Sequence, residues 1–204
     1  MHYTHPLMLV PLAALLSLGH FACSSNGDVQ DDEELSNQPG MTTEEDEDGY
    51  IVENLDTRGD GESDIIRYFE EYQDPRDEER TRRRIRKMEI DVNGDGKINV
   101  RRHYDDYGNV NIEENDHDLD GVMDSTLYFI GGELARKEFH GVHDERGDYI
   151  KERRIYLDGQ LVRVERDHNA DGDPNRWEYY EDGVLMRIGR DTTGDGSADT
   201  WQLR

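Results

Sequence analysis

The sequence predicts an all-β chain: an elongated antiparallel β-hairpin (meander) repeat array with acidic loops, preceded by a disordered linker. Three observations predict it. An acidic nine-residue pattern recurs five times, an aromatic pair follows it at a fixed distance, and a Gly-containing turn then leads into a second run of alternating residues. Composition sets the frame. The 204 residues carry 24 basic and 49 acidic side chains, a formal net charge of −25, and only 33% are hydrophobic. From Cys23 onward Leu, Ile, Val and Phe supply 33 of 182 residues, about 18%. Below about 20%, with high net charge, a chain cannot fold by apolar burial alone. A large doubly wound or barrel core is excluded on this count. Nucleic acid is an unsuitable partner, because phosphate binding needs clustered Lys and Arg and the field here has the opposite sign.

Residues 1–22 hold no Asp, Glu, Lys or Arg, and Leu7 to Leu18 is apolar except for Pro11 and Ser17. That run is too short to span a bilayer, which needs about 20 residues, and reads as an export signal. The single cysteine, Cys23, follows at once, so no internal disulfide is available. Ala22–Cys23 resembles the lipid-attachment site of bacterial lipoproteins, although His20 and Phe21 depart from the usual pattern. The resemblance implies cleavage before Cys23, acylation of its thiol, and a membrane-anchored protein. With Ser24 rather than Asp next in line, it implies sorting to the outer membrane. Cleavage after Gly19, giving a secreted chain, is the alternative.

Residues 23–49 contain ten acids, no base and no aromatic residue before Tyr50. Self-repulsion and low apolarity predict a disordered tether there.

Residues 50–204 hold the repeats, with 39 acids and 24 bases. The pattern is Asp, a polar third place, Asp at the fifth, Gly at the sixth and Asp or Asn at the ninth. It reads DTRGDGESD from Asp56, DVNGDGKIN from Asp91, DHDLDGVMD from Asp116, DHNADGDPN from Asp167 and DTTGDGSAD from Asp191. A worn sixth copy starts at Asp144. Twelve residues after each first Asp stand Tyr68, His103, Tyr128, Tyr156, Tyr179 and Leu203. Tyr68, Tyr128, Tyr156 and Tyr179 are therefore expected to form one stripe of a thin core. Gly131-Gly132, Asp158-Gly159 and Asp182-Gly183 follow as hairpin turns. The first unit has a longer polar connection, Gln73 to Arg84. Arg82 to Lys87 reads as a solvated strand face.

The loops carry the chemistry. Side-chain oxygens at the first, third, fifth and ninth places can converge on one hard cation, and a sixth-place Gly permits the sharp turn. The candidate ligands are Asp56, Asp60 and Asp64; Asp91, Asn93, Asp95 and Asn99; Asp116, Asp118, Asp120 and Asp124; Asp167, Asn169, Asp171 and Asn175; and Asp191, Thr193, Asp195 and Asp199. Oxygen-only donors favour calcium over zinc, copper or iron. The Asp116 loop, with four carboxylates, is expected to bind most tightly. The Asp56 loop is expected to bind least tightly, because Arg58 stands at its third place. Asp-Gly alone makes ordinary turns, but a turn requires no ninth-place Asp or Asn. These nine-residue stretches resemble the loops of EF-hand-like proteins, dockerins and thrombospondin type 3 repeats. The resemblance implies calcium binding and nothing for the intervening strands. At the twelfth place, where an EF-hand needs Glu, only Glu178 complies. His103, His117, His140, His143 and His168 form no zinc pattern, and no phosphate loop or nucleophile elbow occurs.

The expectation is a calcium-binding, non-enzymatic envelope protein serving as a structural or binding module. The alternative is a dockerin-like or adhesive module that recognises a protein or carbohydrate partner through a calcium-ordered face.

Overall fold

The structure, a computed structural model, describes residues 40–143 and 147–204. The leader, Cys23, the tether up to residue 39 and residues 144–146 of the worn repeat lie outside the described residues. Thirteen strands follow one another: β1 (Met41–Glu45), β2 (Ile51–Leu55), β3 (Ile65–Asp74), β4 (Asp77–Ile90), β5 (Val100–Tyr104), β6 (Val110–Asn115) and β7 (Ser125–Ile130). Then come β8 (Glu133–His143), β9 (Gly147–Leu157), β10 (Gln160–Arg166), β11 (Arg176–Glu181), β12 (Val184–Arg190) and β13 (Thr200–Leu203). Their spatial order is their chain order, every pair is antiparallel, and they form one open sheet. Among the described residues there is no helix, and only consecutive strands touch. The expected all-β meander is therefore what the chain adopts.

Two boundaries move. Residues 41–45, placed in the tether by their acidity, pair with β2 as an edge strand, Met41 opposite Leu55 through Glu45 opposite Ile51. Edge strands tolerate charge because one side faces solvent. The stretch from Gln73 to Arg84, expected as a polar connection, is instead the end of a long hairpin that turns at Pro75-Arg76. Arginines hold it: Arg82 Nε donates to Asp74 at 2.5 Å, Arg83 Nε to Glu71 at 2.9 Å, and Arg84 and Arg86 Nε share Glu70 at 2.9 and 2.6 Å. The basic run is thus ion-paired rather than merely solvated.

In a meander the connections alternate between two edges of the sheet. The tight turns lie on one edge. At Gly131-Gly132, Asp158-Gly159 and Asp182-Gly183 both central residues have positive φ, the type I′ geometry that suits strand twist. The five intact acidic loops lie on the other edge.

Cross-strand partners share a face. Tyr68, Tyr128 and Tyr179 do occupy one row, each opposite a cation on the returning strand: Lys87, Arg136 and Arg187. Those cations sit 3.7, 3.9 and 4.3 Å from the ring centroids, close enough for cation–π attraction. Tyr156 does not join them. Ile155 takes that place, opposite both Arg136 and Arg163, so Tyr156 falls on the other face. The worn repeat keeps the register one residue short, and counting from Asp144 concealed the slip.

A β-bulge immediately beyond this row recurs in five hairpins, leaving Arg86, Asn111, Ala135, Val162 and Met186 unpaired in the returning strands. It breaks the alternation expected of the returning strands, in β10 between Leu161 and Arg163, since one extra residue reverses every later side chain.

The interior is mostly polar. Among the described residues Val52, Val164 and Ile188 are the buried apolar side chains, whereas Glu89, Glu138, Glu165 and Glu178 are all buried. Each buried glutamate meets arginine. Arg101 bridges Glu89 (2.8 Å) and Glu114 (3.2 Å). Arg153 bridges Glu138 (2.8 Å) and Glu165 (2.9 Å), and Arg166 bridges Glu152 (2.7 Å) and Glu178 (2.9 Å). The Tyr68 and Tyr128 hydroxyls add bonds to Glu89 and Glu138 at 2.8 and 3.2 Å. Burial, then the bond to Glu89, pushes the Tyr68 hydroxyl up to about 12.

Candidate metal centre

The five loops share one backbone conformation, built by their own carboxylates. The first-place Asp takes backbone N–H groups from the fourth and sixth places. Gly94 and Gly96 donate to Asp91 at 2.7 and 2.8 Å, Leu119 and Gly121 to Asp116 at 2.7 and 2.8 Å, and Gly194 and Gly196 to Asp191 at 2.6 and 2.8 Å. In the Asp56 loop Gly59 and Gly61 do the same at 2.5 and 2.9 Å, and Gly172 donates to Asp167 at 2.9 Å. A carboxylate has about four lone-pair sites, so two N–H bonds leave capacity for a cation.

The ninth place closes the loop. Asp64, Asn99, Asp124, Asn175 and Asp199 each accept the N–H of the second place, at 2.6, 2.8, 2.7, 3.2 and 2.7 Å. This corrects the expectation that a turn has no use for an Asp or Asn there: the loop needs the acceptor whether or not a cation is present. The fifth-place Asp in turn accepts the seventh N–H, for example Val122 to Asp120 at 2.8 Å and Ser197 to Asp195 at 2.9 Å.

At Asp56, Asp91, Asp116, Asp191 and Asp199 these bonds favour the ionised carboxyl. For Asp91, Asp116 and Asp191 burial raises the pKa, but the N–H groups of the fourth and sixth places outweigh it and the net shift is downward. Asp56 is lowered chiefly by the Gly61 N–H and Asp199 by the Thr192 N–H.

Two loops bring three carboxylates together. Oxygens of Asp116, Asp118 and Asp120 lie within 4.8 Å of one another, as do those of Asp191, Asp195 and Asp199. Thr193 joins the second set, its hydroxyl 3.3 Å from Asp191 and 3.4 Å from Asp199. Asp124 stands outside the first set, its Oδ2 accepting the His117 and Asp118 N–H groups. In the Asp167 loop the amides occupy the donors: Asn169 Nδ2 bonds Asp171 at 2.7 Å and Asn175 Nδ2 bonds Asn169 Oδ1 at 2.9 Å. In the Asp91 loop Asn99 is buried and reaches Asp116 Oδ2 at 3.4 Å. Asp56, Asp60 and Asp64 are not brought together in this way.

Two features escaped the sequence reading. The fourth place is left-handed in every loop, at Gly59, Gly94, Leu119, Ala170 and Gly194; the repeated Gly at three of these five positions was its signal. Neighbouring loops are also joined. Asp91 N–H donates to Asp64 O, Asp116 N–H to Asn99 O and Asp191 N–H to Asn175 O, at 2.8, 2.8 and 3.0 Å. Lys97 Nζ donates to Asp120 O at 2.7 Å.

The histidines show no shared metal geometry among the described residues. His117 Nε2 meets Ser125 Oγ at 2.9 Å, and His140 is held by Thr126 (3.1 Å) and the Met123 carbonyl (3.1 Å).

No protein-family model matches the chain, and no curated protein sequence does. Among solved structures it is similar to the accessory secretory protein 1, 2 and 3 assembly of Streptococcus pneumoniae, at 16% identity and a TM-score of 0.29. A second likeness is to the Glycosylation Associate Protein complex of Streptococcus agalactiae, at 14% identity and a TM-score of 0.27. These alignments cover 60% and 62% of this chain and 19% of each of the others. Superposition at that level carries no argument about activity.

Proposed function

We propose that this chain is a calcium-binding, non-enzymatic module of the bacterial cell envelope. A lipid on Cys23 holds it at the membrane, the acidic segment spaces it, and the sheet serves as a spacer or display surface whose loop edge is neutralised by calcium.

The distribution of charge carries this reading. From residue 50 onward there are 39 acids and 24 bases. The five loops, 56–64, 91–99, 116–124, 167–175 and 191–199, contain sixteen of those acids and only two bases, Arg58 and Lys97. A net −14 therefore sits on one edge; the remaining 23 acids and 22 bases of residues 50–204 nearly cancel, and β1 with the turn after it adds five acids. Arginine neutralises the sheet; the loop edge needs cations from outside. Its donors are all oxygens, from carboxylates with Asn and Thr, the preference of calcium over metals that favour nitrogen or sulfur.

The residues that would hold calcium are Asp116, Asp118 and Asp120, and Asp191, Asp195 and Asp199 with Thr193. The Asp91 and Asp167 loops offer two carboxylates and two Asn each. Bound calcium supplies positive charge that offsets carboxylate repulsion. At about 1 mM calcium and a Kd of about 10⁻⁴ M, each site adds about 1.4 kcal/mol.

Calorimetric titration of calcium into the EDTA-stripped chain tests the proposal. Heat of binding, with a higher melting temperature in 1 mM calcium, is expected; absence of both removes the reading. Membrane fractionation tests the anchor: Cys23→Ala is expected to move the protein from the membrane pellet to the soluble fraction. An unchanged distribution rejects lipidation.

A further inference from the structure

We propose that Arg58 is a resident cation, its guanidinium occupying the first loop in place of a metal ion and tying that loop to the second. The proposal deepens the reading of the other loops as cation sites and rests on it for the comparison between loops.

The Asp56 and Asp191 loops carry the same carboxylates at the first, fifth and ninth places. They differ at the third, which is Arg58 in one and Thr193 in the other. In the Asp191 loop the three carboxylates converge. In the Asp56 loop the guanidinium lies against two of them, Asp60 and Asp64. Arg58 Nη2 contacts Asp64 Oδ1 directly and lies 3.8 Å from Asp91 Oδ2, and Arg58 Nε lies 3.8 Å from Asp60 Oδ2. One positive group thus faces carboxylates from two loops.

Asp64 makes the placement specific. It is 4% exposed. Its Oδ2 accepts the Thr57 N–H, the Thr57 hydroxyl and the Arg58 N–H. Its Oδ1 is buried and meets no hydrogen bond of ordinary geometry, so the guanidinium is its counter-charge. The Thr57 hydroxyl bond lowers the Asp64 carboxyl most, burial opposes it, and Arg58 adds to the lowering. A buried carboxylate oxygen left without a positive partner is costly, so removal of Arg58 creates a vacancy that a cation can fill.

The second loop is shaped to admit the guanidinium. Gly94 lies against it, and a Cβ at that position would overlap Arg58 Cζ and Nη1. Gly94 also has φ +79°, so its lack of a side chain serves both the left-handed turn and the approach of Arg58.

The test uses the full chain and Arg58→Asn, which gives the first loop the third-place residue of the Asp91 and Asp167 loops. Calcium stoichiometry is read by calorimetry, and melting is followed by circular dichroism in EDTA and in 1 mM calcium. The variant is expected to bind one more calcium ion than the unsubstituted chain, to melt at lower temperature in EDTA, and to recover in calcium. Arg58→Lys, which keeps the charge, is expected to retain the original stoichiometry. For Arg58→Asn, equal stoichiometry overturns the proposal whatever its melting, and so does equal melting in EDTA or a variant unfolded in both media. The two readings separate cleanly. An unsubstituted chain that binds calcium beside an Arg58→Asn variant with no added site rejects the resident cation alone. An unsubstituted chain that binds none, beside a variant that binds one, rejects the proposed function alone. Binding by neither rejects both.

Discussion

Along the loop edge an aspartate meets backbone N–H groups; within the sheet a glutamate meets arginine. Asp191 is held by Gly194 and Gly196, whereas Glu138 is held by Arg153 and Tyr128. Against the opposing effect of burial, the first arrangement lowers the Asp191 carboxyl and the second lowers that of Glu89, held by Arg101 and Tyr68, but only the second cancels charge. An N–H dipole orients a carboxylate and leaves its full negative charge in place. From β2 onward the sheet is accordingly near neutral and the loop edge strongly negative. A chain poor in Leu, Ile, Val and Phe can therefore build its strands without metal, while its loops gain most from added cations.

Acid attacks both regions and has the largest expected effect. Burial raises the Glu178 carboxyl, but bonds from Arg166, Tyr180 and Arg176 outweigh it and hold it at about 2, against an ordinary 4.5. Asp56, Asp64, Asp91, Asp116, Asp191 and Asp199 are shifted the same way. A folded pKa below the unfolded one contributes stability that is present above the unfolded value and lost as pH falls toward the folded value. The melting temperature is expected to hold above pH about 5 and to drop steeply between about 4.5 and 2. A flat profile across that window would mean that these bonds do not survive in solution.

The next effect belongs to the sheet alone. Arg153→Met removes the cation between Glu138 and Glu165, which are 5% and 8% exposed. Glu138 keeps Arg136 at 3.3 Å and Glu165 keeps Arg163 at 2.9 Å, so the loss falls below that of a wholly unpaired buried charge, at about 2 kcal/mol. Denaturant unfolding is expected to show that loss equally in calcium and in EDTA. Rescue by calcium would mean that the sheet, too, draws on external cations.

The loop counterpart is smaller and conditional. Asp120→Ala removes one member of the Asp116, Asp118 and Asp120 set. The expected loss is about 1.4 kcal/mol in 1 mM calcium, the contribution of one site, and much less in EDTA, where the bond from Val122 N–H is what remains to lose. Equal losses in both media would assign Asp120 a purely structural role.

How much of this was legible in the sequence follows the same division. The loops, the I′ turns and the Tyr68, Tyr128 and Tyr179 row could be read because each depends on a short local pattern: Asp-Gly spacing, positive-φ residues, a fixed count of residues. The bulges at Arg86, Asn111, Ala135, Val162 and Met186 could not, since an extra residue is defined only against a partner strand. The Glu138–Arg153–Glu165 ladder was hidden for the same reason: its members lie on three strands, and in a chain so rich in Asp, Glu and Arg no pair stands out. Acidity also misled at residues 41–45, where the pairing with β2 outweighs the composition. At the ninth place a role assigned to calcium is shared by the Thr57, Val92, His117, His168 and Thr192 N–H groups.

That shared role makes the smallest prediction informative. Leu119 occupies the left-handed fourth place with φ 64°, where three of the five loops have Gly. A side chain there costs about 1–2 kcal/mol, and Gly returns part of that through its greater freedom in the unfolded chain, about 0.4–1 kcal/mol. Leu119→Gly is expected to stabilise by about 0.5 kcal/mol, measured by denaturant midpoint. Its dependence on calcium separates two causes of the loop's shape. If the N–H bonds to Asp116 and Asp124 set the conformation, the strain exists without metal and the gain is the same in EDTA. If calcium sets it, the gain vanishes in EDTA, because a loop that has not adopted the left-handed turn has no strain to relieve. The bonds from Leu119 and Gly121 to Asp116, and from His117 to Asp124, are all 2.7–2.8 Å and need no metal to form. Equal gains are therefore the expected result, with calcium acting on a loop already shaped to receive it.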